Sequence, residues 1–332
     1  MKKTLVLLAV LVAIILALVG VPRLLSLRKS PDLFNGFDKA GVARIDLKKS
    51  GSQESLKKVN GKWFATQNGE YPADTAKVNA ALDMAAKQKK NEPRSKNPAK
   101  FKELGLDTAS ALKVVLDGGR KFSFFVGNMA QGWTGNFLRF EGRNEAYVTE
   151  GNFEQCFSSS PNFFRDKKVL DVNKDKVSEF SAAFRGDSAK SMTEVAAKFD
   201  AASGKWRIEK PENAEGDAAK INEWLGKFGS LEADDWYEKD TAAATGFDDP
   251  VLRATFKHTD GLSTGILVGK EQNGKRYVQA DNSPHKFLLA KYRIDGLMQK
   301  DWRELIALPP VQGDTSKVDM NSVTVPGSQG KK

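Results

Sequence analysis

Gly61-Lys62-Trp63 is followed by Asp74-Thr75-Ala76-Lys77-Val78-Asn79 and Leu82, and this arrangement is repeated. Its second copy reads Gly204-Lys205-Trp206, then Asp217-Ala218-Ala219-Lys220-Ile221-Asn222 and Leu225, every paired residue offset by 143 positions. A shared tripeptide is chance; the same tripeptide plus D-x-A-K-(V/I)-N-x-x-L at identical spacing is a tandem duplication. The chain therefore reads as two related units.

Around each Gly-Lys-Trp the pattern is that of strands. Val42-Ala43-Arg44-Ile45-Asp46-Leu47 alternates with period two, and Ser50-Gly51 and Asn60-Gly61 are turn signals, the second a strong hairpin signal. Trp63 and Ala65 share one strand face, as do Trp206 and Ile208 after Ser203-Gly204. The paired tryptophans are expected to anchor a sheet face rather than stack on a ligand. Asp74 and Asp217 stand as N-caps before the helical patterns Val78, Leu82, Ala85, Ala86 and Ile221, Leu225, Phe228.

After each helix come a glycine turn and more hairpins. The turns are Leu104-Gly105-Leu106-Asp107 and Thr245-Gly246-Phe247-Asp248, where glycine permits a left-handed backbone. Strands are expected over 112–116 and 122–126, then 252–256 and 266–268, the second of each pair running into Val126-Gly127 or Val268-Gly269. Further hairpins join 137–140 to 146–149 and 276–280 to 287–290. The order β–β–β–α–β–β–β–β thus recurs, which predicts an α+β fold of two tandem repeats, each an antiparallel sheet with one main helix. Both repeats end on similar strings, Phe164-Arg165-Asp166 and Trp302-Arg303-Glu304, whose arginines are expected to order their own repeat ends.

Ahead of the repeats, residues 4–21 form an unbroken apolar run, with Lys2 and Lys3 before it and Arg23, Arg28 and Lys29 after it. As a helix it would span about 27 Å, close to the roughly 30 Å of a hydrocarbon core. It is longer than a signal peptide's apolar region and ends in Val19-Gly20-Val21-Pro22, a poor cleavage site. The expected organisation is a short N-terminal segment (1–3), a transmembrane anchor (4–22) held by membrane lipid, a linker (23–41), repeats over 42–172 and 173–308, and a disordered tail over 309–332. The anchor is expected to hold the protein in a cytoplasmic (inner) membrane as a single-pass chain with its bulk extracytoplasmic.

Charge narrows the partners. The net charge is +10, and residues 1–29 hold five basic and no acidic side chains, half of that excess. This suits lipid headgroups, and no nucleic-acid motif accompanies it, so no nucleic-acid partner is expected. One cysteine, Cys156, and two histidines make a Cys/His zinc site unexpected. Gly127-Asn128-Met129-Ala130-Gln131-Gly132 lacks the Gly-Lys-Ser/Thr ending of a phosphate loop, and Ser158-Ser159-Ser160 has no base nearby in sequence. No catalytic residue, cofactor or metal is expected, and the chain is not read as an enzyme.

The sharpest charge feature is a candidate surface for an anionic partner: Lys87, Lys89, Lys90, Arg94, Lys96, Lys100 and Lys102, against the single acid Glu92. The second repeat is acidic where this would align, with Glu232, Asp234, Asp235, Glu238 and Asp240.

Over about residues 40–308 the chain resembles the bacterial domain of unknown function DUF4340. The Gly-Lys-Trp strand, Tyr71-Pro72-Ala73-Asp74, Leu104-Gly105-Leu106-Asp107, Phe125-Val126-Gly127 and Phe164-Arg165-Asp166-Lys167 carry the resemblance by their order. The resemblance implies no activity and no catalytic residues. It does imply an N-terminal membrane segment and association with permease or auxiliary parts of an ABC transporter similar to the gliding-motility type. The expected function is a non-catalytic accessory subunit of such a complex; the alternative is an envelope module binding an anionic glycan or lipid headgroup at 87–102.

Overall fold

The computed structural model describes residues 31–185, 191–238, 245–298 and 301–308. The expected anchor, the first part of the linker (23–30) and the expected tail lie outside these residues, as does Asp240. Among the described residues no helix is long and apolar enough to cross a membrane.

The chain forms two compact units that divide between Lys167 and Lys168. The first contains β1 (Arg44–Lys49), β2 (Ser52–Val59), β3 (Lys62–Ala65), β4 (Tyr71–Pro72), helix α1 (Thr75–Ala86), β5 (Leu112–Asp117), β6 (Phe122–Met129), β7 (Asn136–Phe140), β8 (Ala146–Val148) and the short helix α2 (Phe153–Cys156). Its eight strands lie in the order β4-β3-β2-β1-β5-β6-β7-β8, antiparallel throughout.

The second unit opens with β9 (Lys168–Leu170), then β10 (Val177–Phe184), β11 (Thr193–Asp200), β12 (Lys205–Lys210), β13 (Ala214–Gly216), helix α3 (Ala218–Gly226), β14 (Leu231–Glu232), β15 (Asp235–Tyr237), β16 (Leu252–His258), β17 (Ser263–Gln272), β18 (Lys275–Ala280), β19 (Lys286–Ala290) and helix α4 (Lys291–Asp295). Its main sheet runs β13-β12-β11-β10-β16-β17-β18-β19-β15, while β9 pairs with β14. That pairing assigns 168–172 to the second unit, so the boundary expected after Val172 falls after Lys167.

The fold is mostly β, with two large antiparallel sheets and few helices. This is the coarse form of the expected α+β repeat, with corrections to its order: a short strand, β4 or β13, precedes each main helix, and the second unit adds the short strands β9, β14 and β15. These strands were hidden because two or three residues carry no readable period.

The local signals act as physical chemistry requires. Asn60 (φ 49°) and Gly61 (φ 81°) make the two-residue turn that sets Val59 opposite Lys62. The second copy uses a longer loop, where Asp200 accepts hydrogen bonds from Ala202 N at 3.0 Å and Ser203 Oγ at 2.7 Å. Trp63 and Trp206 are both 4% exposed, so the paired tryptophans are core anchors. Asp74 accepts from Ala76 N (3.0 Å) and Lys77 N (3.1 Å), and Asp217 from Ala219 N (2.9 Å) and Lys220 N (3.1 Å). Both repeated aspartates are N-caps.

Each helix lays its apolar stripe on one sheet face. Val78, Ala81, Leu82 and Ala85 of α1 are buried, whereas Ala86, expected on the same stripe, is exposed. Ile221, Trp224 and Leu225 of α3 are buried, with Phe228 beyond its end. Aromatic rings fill both cores: Phe124 meets Phe34, Phe153 and Phe157 edge-on, and Trp224 packs on Phe180, Phe228 and Phe256. Trp224 Nε1 donates to Leu297 O at 2.9 Å, satisfying its buried polar handle.

The two glycine turns dock identically despite their different sequences. Gly105 (φ 67°) and Gly246 (φ 71°) are left-handed. A Cβ on Gly127 would lie 2.3 Å from Leu104 O, and one on Gly269 would lie 1.9 Å from Thr245 O. The Val-Gly strand ends are therefore glycine because the turn's carbonyl sits against their backbone.

The two repeat ends correspond differently from their sequence strings. Ala73 pairs with Arg165, and Asp74 N donates to Phe164 O. The corresponding contacts in the second unit join Gly216 to Ile306 and Asp217 N to Leu305 O. Ile306, three residues after Arg303, is thus the equivalent of Arg165. Arg165 is 1% exposed, while the Arg303 side chain is 69% exposed and lies over its own Trp302.

Candidate functional site

The basic segment begins where α1 ends. Lys87 is the C-cap residue, and the chain then crosses the free edge of β8: Arg94 N donates to Ala146 O, Ala146 N to Ser95 O, and the Asn91 side chain to Val148 O. An uncovered strand edge is a template for unwanted pairing, and this segment blunts it. It ends in Phe101 and Leu104, which pack on the outer sheet face with Leu106, Ala111, Phe125 and Ala146. The acidic segment has the same job in the second unit, where β15 pairs with β19, Asp234 N donates to Leu288 O, and Asp234 accepts from Ala290 N.

All seven basic side chains, Lys87, Lys89, Lys90, Arg94, Lys96, Lys100 and Lys102, are exposed. Lys89 pairs with Asp32 at 2.5 Å. Among the described residues no ion pair engages the other six. The structure strings these charges around an edge, and of the seven Lys90 lines a concavity.

That concavity is an open cleft of about 780 Å³ in the first unit, lined by Pro31, Asp32, Leu33 and Asn35 of the entering chain, Lys90, the β5–β6 turn and the β7–β8 hairpin. Its cations are Lys90, Arg120, Lys121 and Arg143; its acids are Asp32, Glu141 and Glu145; its aromatic floor is Phe122, Phe140 and Tyr147. The Arg120 guanidinium lies 5.3 Å over the Phe122 ring. Lys113 and Ser123 both hold Glu141 at 2.6 Å and keep its carboxyl below the usual range. Burial pushes the Tyr147 phenol up, and Glu145 pushes it further while Arg143 opposes. Sequence reading missed Arg120, Lys121 and Arg143, because each stands in an ordinary turn and only the sheet brings them to Lys90.

The buried polar groups are committed to the fold. Glu54 and Arg165 are each 1% exposed. Burial raises the Glu54 carboxyl, against backbone hydrogen bonds from Ser55 and Gln67 and the charge of Arg165. Arg165 stacks 3.7 Å over Tyr71, so it orders its repeat's end. Arg139 lies between Phe101 and Phe125, its Nε donating to Leu106 O at 3.0 Å, and burial lowers its pKa. Asn136 donates to Gly127 O and accepts from Phe153 N. Ser159 accepts from Ser52 Oγ at 3.0 Å, and burial raises the Cys156 thiol, which disfavours the reactive thiolate. Among the described residues no three His, Cys, Asp or Glu side chains converge as a metal site.

Fold and surface together define a duplicated, mostly β protein in which recurring tryptophans, aspartates and glycines build two sheets and the segments along the sheet edges differ in charge. The chain belongs to the family described as Domain of unknown function (DUF4340), whose family model matches residues 63–200 and 206–324. No curated protein and no solved structure matches it.

Proposed function

We propose that this protein is a membrane-anchored, extracytoplasmic interaction subunit, non-catalytic itself, that works beside permease or auxiliary components of an ABC-type transporter. One observation carries the reading: the tryptophans, aspartates and glycines that recur in the two copies are used in construction. The tryptophans fill cores, the aspartates cap helices, and the glycines admit the turns that dock on them. What differs between the copies is charged surface, basic at 87–102 and acidic at 232–238. That division suits a scaffold presenting surfaces to partners. The apolar run at 4–21 with its flanking cations supports the anchor, and family resemblance supports the transporter as neighbour.

The test is affinity purification of the full-length chain from gently solubilised membranes, with mass spectrometry of co-eluting proteins and a 1–29 deletion in parallel. Recovery of permease or auxiliary proteins is expected. Well-behaved protein that brings down no transporter component overturns the reading.

A second reading rests on the six basic side chains for which the described residues include no ion pair. They suit an anionic envelope glycan or lipid headgroup. Charge reversal at Lys90, Arg94 and Lys96 then abolishes binding to such a polymer, and unchanged binding rejects it.

A further inference from the structure

We infer that the cleft of the first unit is a binding site for a phosphomonoester carried on an apolar or ring-bearing body. The argument starts from charge accounting inside the cleft. Of its three carboxylates, Asp32 is held by Lys89 and Glu141 by Lys113, and both partners stand outside the lining. Glu145 remains, with Glu92 within electrostatic reach of Tyr147 nearby. Against them stand Lys90, Arg120, Lys121 and Arg143, for which the described residues include no ion pair. Lys121 also feels Asp46, which Arg44 already binds at 2.8 Å. The surplus is about two positive charges, which a phosphomonoester at about −1.5 to −2 neutralises and a single carboxylate does not.

The donors match that chemistry. Two guanidiniums offer planar forks suited to phosphate oxygens, two ammoniums add charge, and the Tyr147 hydroxyl adds a neutral donor. Phe122 and Phe140 provide an apolar floor for the rest of the ligand, and the volume exceeds what a bare phosphate fills.

The cleft's place in the chain bears on the source of the phosphate. Pro31 and Asp32 line it, and Val21 ends the apolar run ten residues earlier. At about 3.3–3.6 Å per residue, that stretch reaches at most about 35 Å. If the anchor reading holds, a lipid headgroup is within range; a soluble sugar phosphate satisfies the same donors without it. The lipid source thus rests on the anchor reading, and the phosphate site does not.

The experiment uses the purified full-length chain in neutral detergent and isothermal titration. Glycerol 3-phosphate probes the soluble source. Short-chain phosphatidic acid, with short-chain phosphatidylcholine as blank, probes the lipid source. Saturable binding of at least one phosphomonoester is expected, weakened at least about tenfold in R120Q/R143Q and changed less than about twofold in K96Q/K100Q/K102Q, whose lysines lie outside the cleft. Circular dichroism and urea unfolding verify folding, and K90Q/K121Q carries the test if the arginine pair destabilises the unit. Binding of phosphatidic acid alone assigns the lipid source, and binding of glycerol 3-phosphate assigns the soluble one. No binding of either, or equal loss in the three-lysine variant, overturns the site. Because no transporter is present, the outcome is separate from that of the membrane purification.

Discussion

Replacing Asp74 or Asp217 by alanine tests whether the repeated aspartates serve structure or chemistry. Each carboxylate accepts two backbone N–H bonds at 2.9–3.1 Å from the first turn of its helix. Losing such a cap costs about 1 kcal/mol, within a range of about 0.5–2. Lys77 lies 3.7 Å from Asp74 and adds a few tenths at most, because both side chains are about a third exposed. D74A and D217A are therefore each expected to cost about 1 kcal/mol, and the double variant about 2, since the caps sit in different compact units. Asparagine caps as well as aspartate, so D74N and D217N are expected to stay within about 0.5 kcal/mol of the parent. Hydrogen exchange read by mass spectrometry on peptides covering 75–86 and 218–226 assigns each loss to its helix, and urea unfolding gives the magnitude. Unchanged exchange in D74A would refute the capping argument, and D74N as damaging as D74A would refute it and give the negative charge itself a role.

Three further outcomes follow from the structure. G127A and G269A are expected to destabilise by about 1–3 kcal/mol because the added Cβ meets a backbone carbonyl, whereas G226A, with open space in the last turn of α3, is expected to stabilise by up to about 1 kcal/mol; thermal unfolding decides. Glu54 and Arg165 are both buried and Glu54 feels the charge of Arg165, so E54L and R165M are each expected to destabilise the first unit, and a double-mutant cycle with E54L/R165M, read by urea unfolding, is expected to show a favourable coupling between them. Burial pushes the Asp46 carboxyl up, but hydrogen bonds from Arg44 and Ser55 outweigh it and leave the folded pKa depressed. Its contribution is therefore full above the unfolded value of about 3.9 and is lost as pH falls through the folded value, so the stability gap between the parent and D46N closes below about pH 4 in urea titrations.

By itself the sequence determined the duplication, the hairpins, the helix starts and the buried tryptophans. Those features rest on interactions within a few residues: a side chain capping its own helix, two left-handed residues closing a turn, a period of two putting Trp63 and Ala65 on one face. The tertiary structure decided what depends on backbone pairing across long stretches. Arg165 and Arg303 sit in similar strings, yet only Arg165 pairs with Ala73, and Ile306 takes that place in the second unit. Leu104-Gly105 and Thr245-Gly246 differ in sequence yet dock on equivalent glycines, because the constraint is a carbonyl pressed on a backbone and not a side-chain identity. The basic segment was visible as composition, but its course along the β8 edge was not. The cleft was invisible, since Lys90, the Arg120–Lys121 turn and Arg143 come from three separate connections whose meeting depends on the order of strands in the sheet.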